Sequence, residues 1–224
     1  MKTHLSTSFA LGSLLLALVA LGGCDYFRPA DPEPPSAGAT FLPDYSDPDS
    51  TLATIARAIA VKGVGIGASA YAGAFAESVT AGSIAGYHQL FWPLDVSAWS
   101  TAVGDRPPPG DWGFTLEQNF YANGATALIR LRPDAYQMEW APDPLNPDDS
   151  GAETATIHRH YLVTTRTDDG ALNTYLAIGY ADLKFIRFSD ANWRIVRWED
   201  RRDPNADPGD QEQVTLGRRR LNTQ

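Results

Sequence analysis

His158 and His160 stand two apart, so in a strand both imidazoles share one face. Two imidazoles on one face could begin a zinc site, but no third ligand stands at a diagnostic spacing. The expected state is a pair of exposed or hydrogen-bonded histidines, with Ile157, Arg159, Tyr161 and Val163 on the opposite face. Gly63-Val64-Gly65-Ile66-Gly67-Ala68 loosely fits a dinucleotide-binding loop. That motif needs a strand before it and an acid about 20 residues on. Helical periodicity precedes it and His88 and Gln89 occupy the acid's place, so a helix–helix connection is expected and no cofactor is called for. Gly82-Ser83-Ile84-Ala85-Gly86 misplaces the serine of a nucleophile elbow. The charges Glu199, Asp200, Arg201, Arg202 and Asp203 follow the last predicted strand and read as solvated groups or local ion pairs. Trp112, Phe120, Tyr121, Tyr161, Tyr175 and Phe185 are the candidate pocket-lining residues, since concave aromatic surfaces are where small ligands usually bind.

Composition narrows the classes. The chain has 224 residues, 43% hydrophobic and 20% charged, which suits one compact domain plus extensions. A net charge of −9 argues against general nucleic-acid binding. Cys24 is the single cysteine, so no intramolecular disulfide, CxxC pair or cysteine-rich zinc module can form.

The first 24 residues have a plan of their own. Lys2 precedes an apolar run, Leu5–Leu21, that is short for a membrane span and holds Ser6, Ser8 and Ser13. A charged start, an apolar middle and a small-residue end fit a secretory signal over residues 1–23. Leu21-Gly22-Gly23-Cys24 resembles the lipobox of bacterial lipoproteins. That resemblance implies cleavage before Cys24, diacylglyceryl modification of its thiol and acylation of the new amino group. Two or more acyl chains are enough for stable anchoring. The implied partner is membrane lipid, and the implied location is the cell membrane or outer membrane, facing the periplasm or exterior. Residues 24–49 carry Pro29, Pro32, Pro34, Pro35, Pro43 and Pro48 among acids and are expected to form an extended tether.

Residues 50–203 are expected to fold as an α+β unit. Ser50 is the expected N-cap of a helix over 51–62, with Leu52, Ile55 and Ile59 on one face. A second helix is expected over 68–78 and a third from Asp111 through Tyr121 to Asn123-Gly124. Residues 79–110 give no clear pattern. Strands are expected at 127–132, 135–141, 154–166, 173–188 and 193–198, with turns at 167–170 and 189–192. Helices first and strands afterwards imply an antiparallel sheet. Along 175–187, Tyr175, Ala177, Gly179, Ala181, Leu183 and Phe185 should face the helices, because Asp182 and Lys184 of the alternate set should face water. The tail 204–224 reads as polar, with Arg218-Arg219-Arg220 either solvated or a partner patch; residues 214–221 are expected as a short closing strand if they order at all.

Gly179, Ala181, Trp193, Ile195, Trp198 and Asp200 form a pattern that resembles the last two strands of the NTF2-like (SnoaL-like) superfamily. The opening helix, the glycine loop and a second helix bearing Tyr71 follow the same order. The resemblance implies a cone of three helices on a strongly curved antiparallel sheet. It also implies either a non-catalytic module that binds a small molecule or an envelope protein, or a cofactor-independent isomerase or dehydratase. The catalytic version needs a carboxylate or histidine inside the cone; Asp95, Asp111, Glu117, Glu139 and His88 are the candidates, and Asp200 matches a position read as structural. No catalytic set is recognisable, so the binding module is the expectation.

Overall fold

The structure, a computed structural model, describes residues 41–61, 66–77, 86–104, 110–123, 136–165, 174–206 and 214–223, which belong to one compact unit. Helix α1 (Pro48–Ala60) starts earlier than expected because Asp47, not Ser50, is its cap. The Asp47 carboxylate accepts from the Ser50 backbone N–H and Pro48 takes a first-turn position where no N–H is needed. Its buried face carries Thr51, Leu52, Thr54, Ile55, Ala58 and Ile59. Packing also reaches upstream of residue 50: the Tyr45 hydroxyl donates to the Ala70 carbonyl, and the Asp44 N–H donates to Thr54 Oγ1.

Helix α2 is Ile66–Gly73, shorter than the expected 68–78. The chain leaves it at Ala74 to bridge Phe75 alongside Ile195. The segment without a clear sequence pattern holds strand β1 (His88–Leu90) and helix α3 (Pro93–Ala102). Helix α4 (Phe114–Gln118) then passes into a π turn, Asn119–Asn123, so the expected third helix is present but short and widened at its end. The strands are β2 (Tyr136–Pro142), β3 (Asp149–Ser150), β4 (Thr154–Thr165), β5 (Thr174–Arg187) and β6 (Trp193–Arg201). The strand expected at 127–132, the turn at 167–170 and most of the glycine motif lie outside the described residues.

Five strands run in the order β1-β6-β5-β4-β2, with β3 beside β4. Pairing is antiparallel except for β1, which runs parallel to β6, so the sheet is mixed. Register shifts at Val163/Thr164 and at Lys184/Phe185 are the irregularities through which long strands bend. The β5 alternation is as expected: Ala177, Ala181, Leu183 and Phe185 are buried and Lys184 is exposed. The fold class is α+β, with five described helices where three were expected.

The fifth helix corrects the reading of the tail. Residues 216–221 form helix α5 (Leu216–Leu221), not a closing strand, and Arg220 is buried among the aromatic side chains. Thr215 caps it by accepting from the Arg218 N–H, and Leu216 and Leu221 are buried. Thr215 in turn donates to Asp95, and the Arg218 guanidinium reaches the Asp95 carbonyl, which fixes α5 to α3.

Candidate functional site

Glu117 is the penultimate residue of α4, and its side chain is buried where it meets Tyr71 of α2 and Arg220 of α5. Its oxygen Oε1 accepts from the Tyr71 hydroxyl at 2.6 Å and from Arg220 Nη2 at 2.7 Å. Its oxygen Oε2 accepts from Trp112 Nε1 at 2.8 Å and from Arg220 Nε at 2.8 Å. The guanidinium therefore meets the carboxylate as a fork, two parallel charge-assisted bonds. A carboxylate offers about four lone-pair sites, and here all are used.

Asp200 lies on the buried face of β6 and forms the second half of the cluster. Its Oδ1 accepts from Tyr161 at 2.8 Å and Trp198 Nε1 at 2.9 Å; its Oδ2 accepts from Gln89 Nε2 at 3.0 Å and, more distantly, from Arg220 Nη1 at 3.4 Å. The Tyr87 hydroxyl donates to Gln89 Oε1, which holds the amide with its nitrogen towards Asp200. The Leu216 N–H donates to the Tyr161 hydroxyl at 2.9 Å, so that hydroxyl joins α5 to Asp200. Arg220 also lies over aromatic rings, its central carbon 4.4 Å from the Trp198 centroid and 5.3 Å from that of Phe120.

The electrostatics follow from burial. Desolvation pushes Asp200 up to about 6, although Arg220, Trp198 and Tyr161 all pull it down. Burial works against the charge of Arg220, but Glu117 and the groups around it together outweigh that, and the guanidinium stays charged. Burial raises Tyr71, Tyr87 and Tyr161 well above the ordinary phenol range, and the neighbouring carboxylates raise them further. These tyrosines are donors that stay protonated.

Three of the six pocket-lining candidates belong to this cluster: Trp112, Phe120 and Tyr161. Tyr121 is next to it, stacked on Tyr71 at 4.2 Å, with its hydroxyl donating to the Ala58 carbonyl. Phe185 is fully buried in the hydrophobic core, and the side chain of Tyr175 lies outside the described residues. Among the acid–base candidates only Glu117 enters the interior cluster. Asp95 is buried at the α3–α5 contact, His88 pairs with exposed Asp111, and Glu139 accepts from Gln137 on the outside. His158 and His160 lie on the outer face of the sheet, hydrogen-bonded to Asp182 and Asp203. No group of three or more potential ligands that could hold a metal occurs among the described residues.

Arg220, Gln89 and Tyr87 were not candidates, and Asp200 was read both among the solvated or locally paired charges and as a structural position; its place is the buried cluster. Gly179 shows how closely the parts fit. A β-carbon there would come within 2.7 Å of the Tyr161 hydroxyl and 2.8 Å of the Arg201 carbonyl. Gly179→Ala is expected to dislodge Tyr161 from Asp200 and cost about 1–3 kcal/mol, as overpacking does, read as a lower urea midpoint with an unchanged slope.

These elements define an α+β protein whose helices close over a curved mixed sheet and whose interior holds a hydrogen-bonded ionic cluster. No family model and no curated protein matches the chain. Solved structures to which it is similar include a Mycobacterium tuberculosis protein of unknown function, 17% identical over 77% of this chain and 83% of that one, with a TM-score of 0.46. Another is an NTF2-like protein with a cystatin-like fold from Novosphingobium aromaticivorans, 17% identical over 67% and 75%, with a TM-score of 0.44. ActVI-ORFA from Streptomyces coelicolor is 10% identical over 68% and 91%, with a TM-score of 0.43.

Proposed function

We propose that the folded unit is a non-catalytic binding module of the cell envelope, held to a membrane through acylated Cys24. The observation that carries the non-catalytic reading is the saturation of both interior carboxylates by the chain's own donors. A general base needs a free lone pair within hydrogen-bond reach of its substrate. Glu117 has none left, and Asp200 keeps its position only by accepting from four neighbours. The raised proton affinity of Asp200 favours one second reading, an isomerase or dehydratase, which would require Arg220 to leave before substrate could enter.

The experiment is to incubate the mature chain with envelope metabolite extracts and follow every compound by mass spectrometry. The expected result is no protein-dependent conversion. Consumption of a compound by the native chain but not by Glu117→Gln or Asp200→Asn would overturn the non-catalytic reading.

The anchor rests on Leu21-Gly22-Gly23-Cys24 and on the acidic, proline-rich stretch after it. No helix among the described residues is long and apolar enough to cross a membrane. Cys24→Ser is expected to leave unprocessed precursor or release soluble protein, with loss of label from radioactive palmitate. Retention of the acyl label and of the same mass shift in that variant would sink the lipoprotein reading.

A further inference from the structure

Three of the seven exposed large hydrophobic side chains among the described residues, Leu90, Leu94 and Val103, lie on β1 and along α3. From Gln89 to Gly104 the sequence holds one charged residue, Asp95, and that side chain is buried and accepts from Thr215. The outward positions of α3 are Pro93, Leu94, Ser97, Ala98, Thr101 and Ala102, so the helix presents no charge to solvent. In a chain that is 20% charged this face is an exception. Phe91 and Trp92, both half-buried, join β1 to α3. Two cations border the face: the Arg218 guanidinium reaches the Asp95 carbonyl, and Arg202 is near enough to lower the proton affinity of the Asp95 carboxylate. Against them stand Glu199, opposite Leu90 in the ladder, and Asp111, which pairs with His88.

We infer that this face of β1 and α3 is the side of the folded unit that lies on the phospholipid bilayer. This deepens the membrane-held reading and rests on it. Residues 24–40 can span at most about 60 Å and end on acylated Cys24, so the bilayer is always within reach of the fold. A net charge of −9 turns most of the surface away from anionic headgroups. Repulsion is least where the surface is uncharged and bordered by arginines. Leucines with a neighbouring tryptophan and phenylalanine on a short helix suit the interface between headgroups and acyl chains. The patch is too small to anchor the protein; it sets the orientation of a chain already anchored.

The test couples the mature chain through the Cys24 thiol to a maleimide phospholipid. The vesicles are phosphatidylcholine with a minor share of phosphatidylglycerol and a phosphatidylcholine carrying a photoactivatable diazirine in its acyl chain. After illumination, mass spectrometry locates the attached lipid. Residues 89–104 are expected to carry at least about fivefold more label than the loop around Leu145. Leu145 is 86% exposed, so exposure alone predicts the reverse. Leu94→Asp is expected to lower the label on 89–104 by about fivefold or more, because a carboxylate resists entry among acyl chains. Leu94 is exposed and in the first turn of α3, where an acid suits the helix dipole, so the variant is expected to keep the native Tm. Label spread evenly, label concentrated around Leu145, or label on 89–104 unchanged by Leu94→Asp would each overturn the inference. A dimer of the uncoupled chain in solution that Leu94→Asp converts to monomer would assign the face to a second copy, and overturn it too. Because coupling to the vesicle is chemical, each of these failures leaves the lipoprotein reading standing; that reading falls only if Cys24 carries no acyl label in cells.

Discussion

Arg220→Met is expected to lower the unfolding free energy by about 3–5 kcal/mol, the range for removing one partner of a buried ion pair. The reason is the state of what remains. Glu117 is almost wholly enclosed, and without the guanidinium it keeps only neutral donors, Tyr71 and Trp112 with the Tyr87 hydroxyl at 3.5 Å, for a full negative charge. Either the charge stays and is under-compensated, or the carboxyl takes up a proton and its hydrogen bonds must rearrange. Glu117→Gln alone leaves the opposite fault, a buried guanidinium that retains one distant carboxylate at 3.4 Å. The double variant Arg220→Met with Glu117→Gln is expected to be more stable than the sum of the single losses, by roughly 1–3 kcal/mol of coupling in a double-mutant cycle. Urea unfolding of the four chains measures it. Additive losses would mean that the pair is not an energetic unit.

The second large effect is the dependence of stability on pH through Asp200. Its folded value is near 6 against 3.8 for an ordinary aspartate, with burial as the main cause. Between those limits the folded chain holds a proton that the unfolded chain has released. The stabilisation from that proton is fully present below about 3.8 and is lost as pH rises through about 6. Asp143, Asp182 and Asp190 titrate in the opposite sense, being held below the usual range by hydrogen bonds and by Arg201 and Arg194. The clean quantity is therefore the difference between the native chain and Asp200→Asn. That difference is expected to move against the native chain from pH 4 to pH 6 and to stay flat above pH 7. A flat difference throughout would show that Asp200 stays ionised in the fold.

Much of the scaffold was legible because it obeys simple periods. The long strands β4, β5 and β6 were recovered at 154–166, 173–188 and 193–198, the inward face of β5 from its alternation, and the buried face of α1 from Leu52, Ile55 and Ile59. Boundaries slipped where a competing cap existed: Asp47 binds the first turn of α1 and displaces Ser50 from that role. Residues 79–110 were opaque because β1 has only three residues and draws its pairing from β6, more than a hundred positions away.

The site was half legible. Glu117 was a candidate by residue type, and Trp112, Phe120 and Tyr161 by aromatic character. Arg220 was missed because a run of three arginines resembles a solvated patch. A signal did exist. Thr215 is a good helix cap, and Leu216 and Leu221 flank the arginines with one apolar residue at each end of the turn. Asp200 was misjudged because it sits among four other charges, although strand parity from Trp198 puts it on the tryptophan's face.

The joining of α5 to Glu117 has a consequence for the order in which the molecule becomes dry. Arg220 and Glu117 are 103 positions apart in the chain, and the bond between Tyr71 and Glu117 spans another 46. Until the arginine docks, the Glu117 and Asp200 carboxylates must keep their hydration shells, so water cannot leave the interior. Strand pairing can run ahead, but expulsion of solvent has to wait for the last helix, which makes it a late and long-range event on the folding path. Unfolding should retrace this, with α5 lifting first and water following it in. A protease that cuts only opened chains would then meet a swollen intermediate with an intact β4–β5–β6 ladder, and the amide protons of that ladder would exchange well after those of α5.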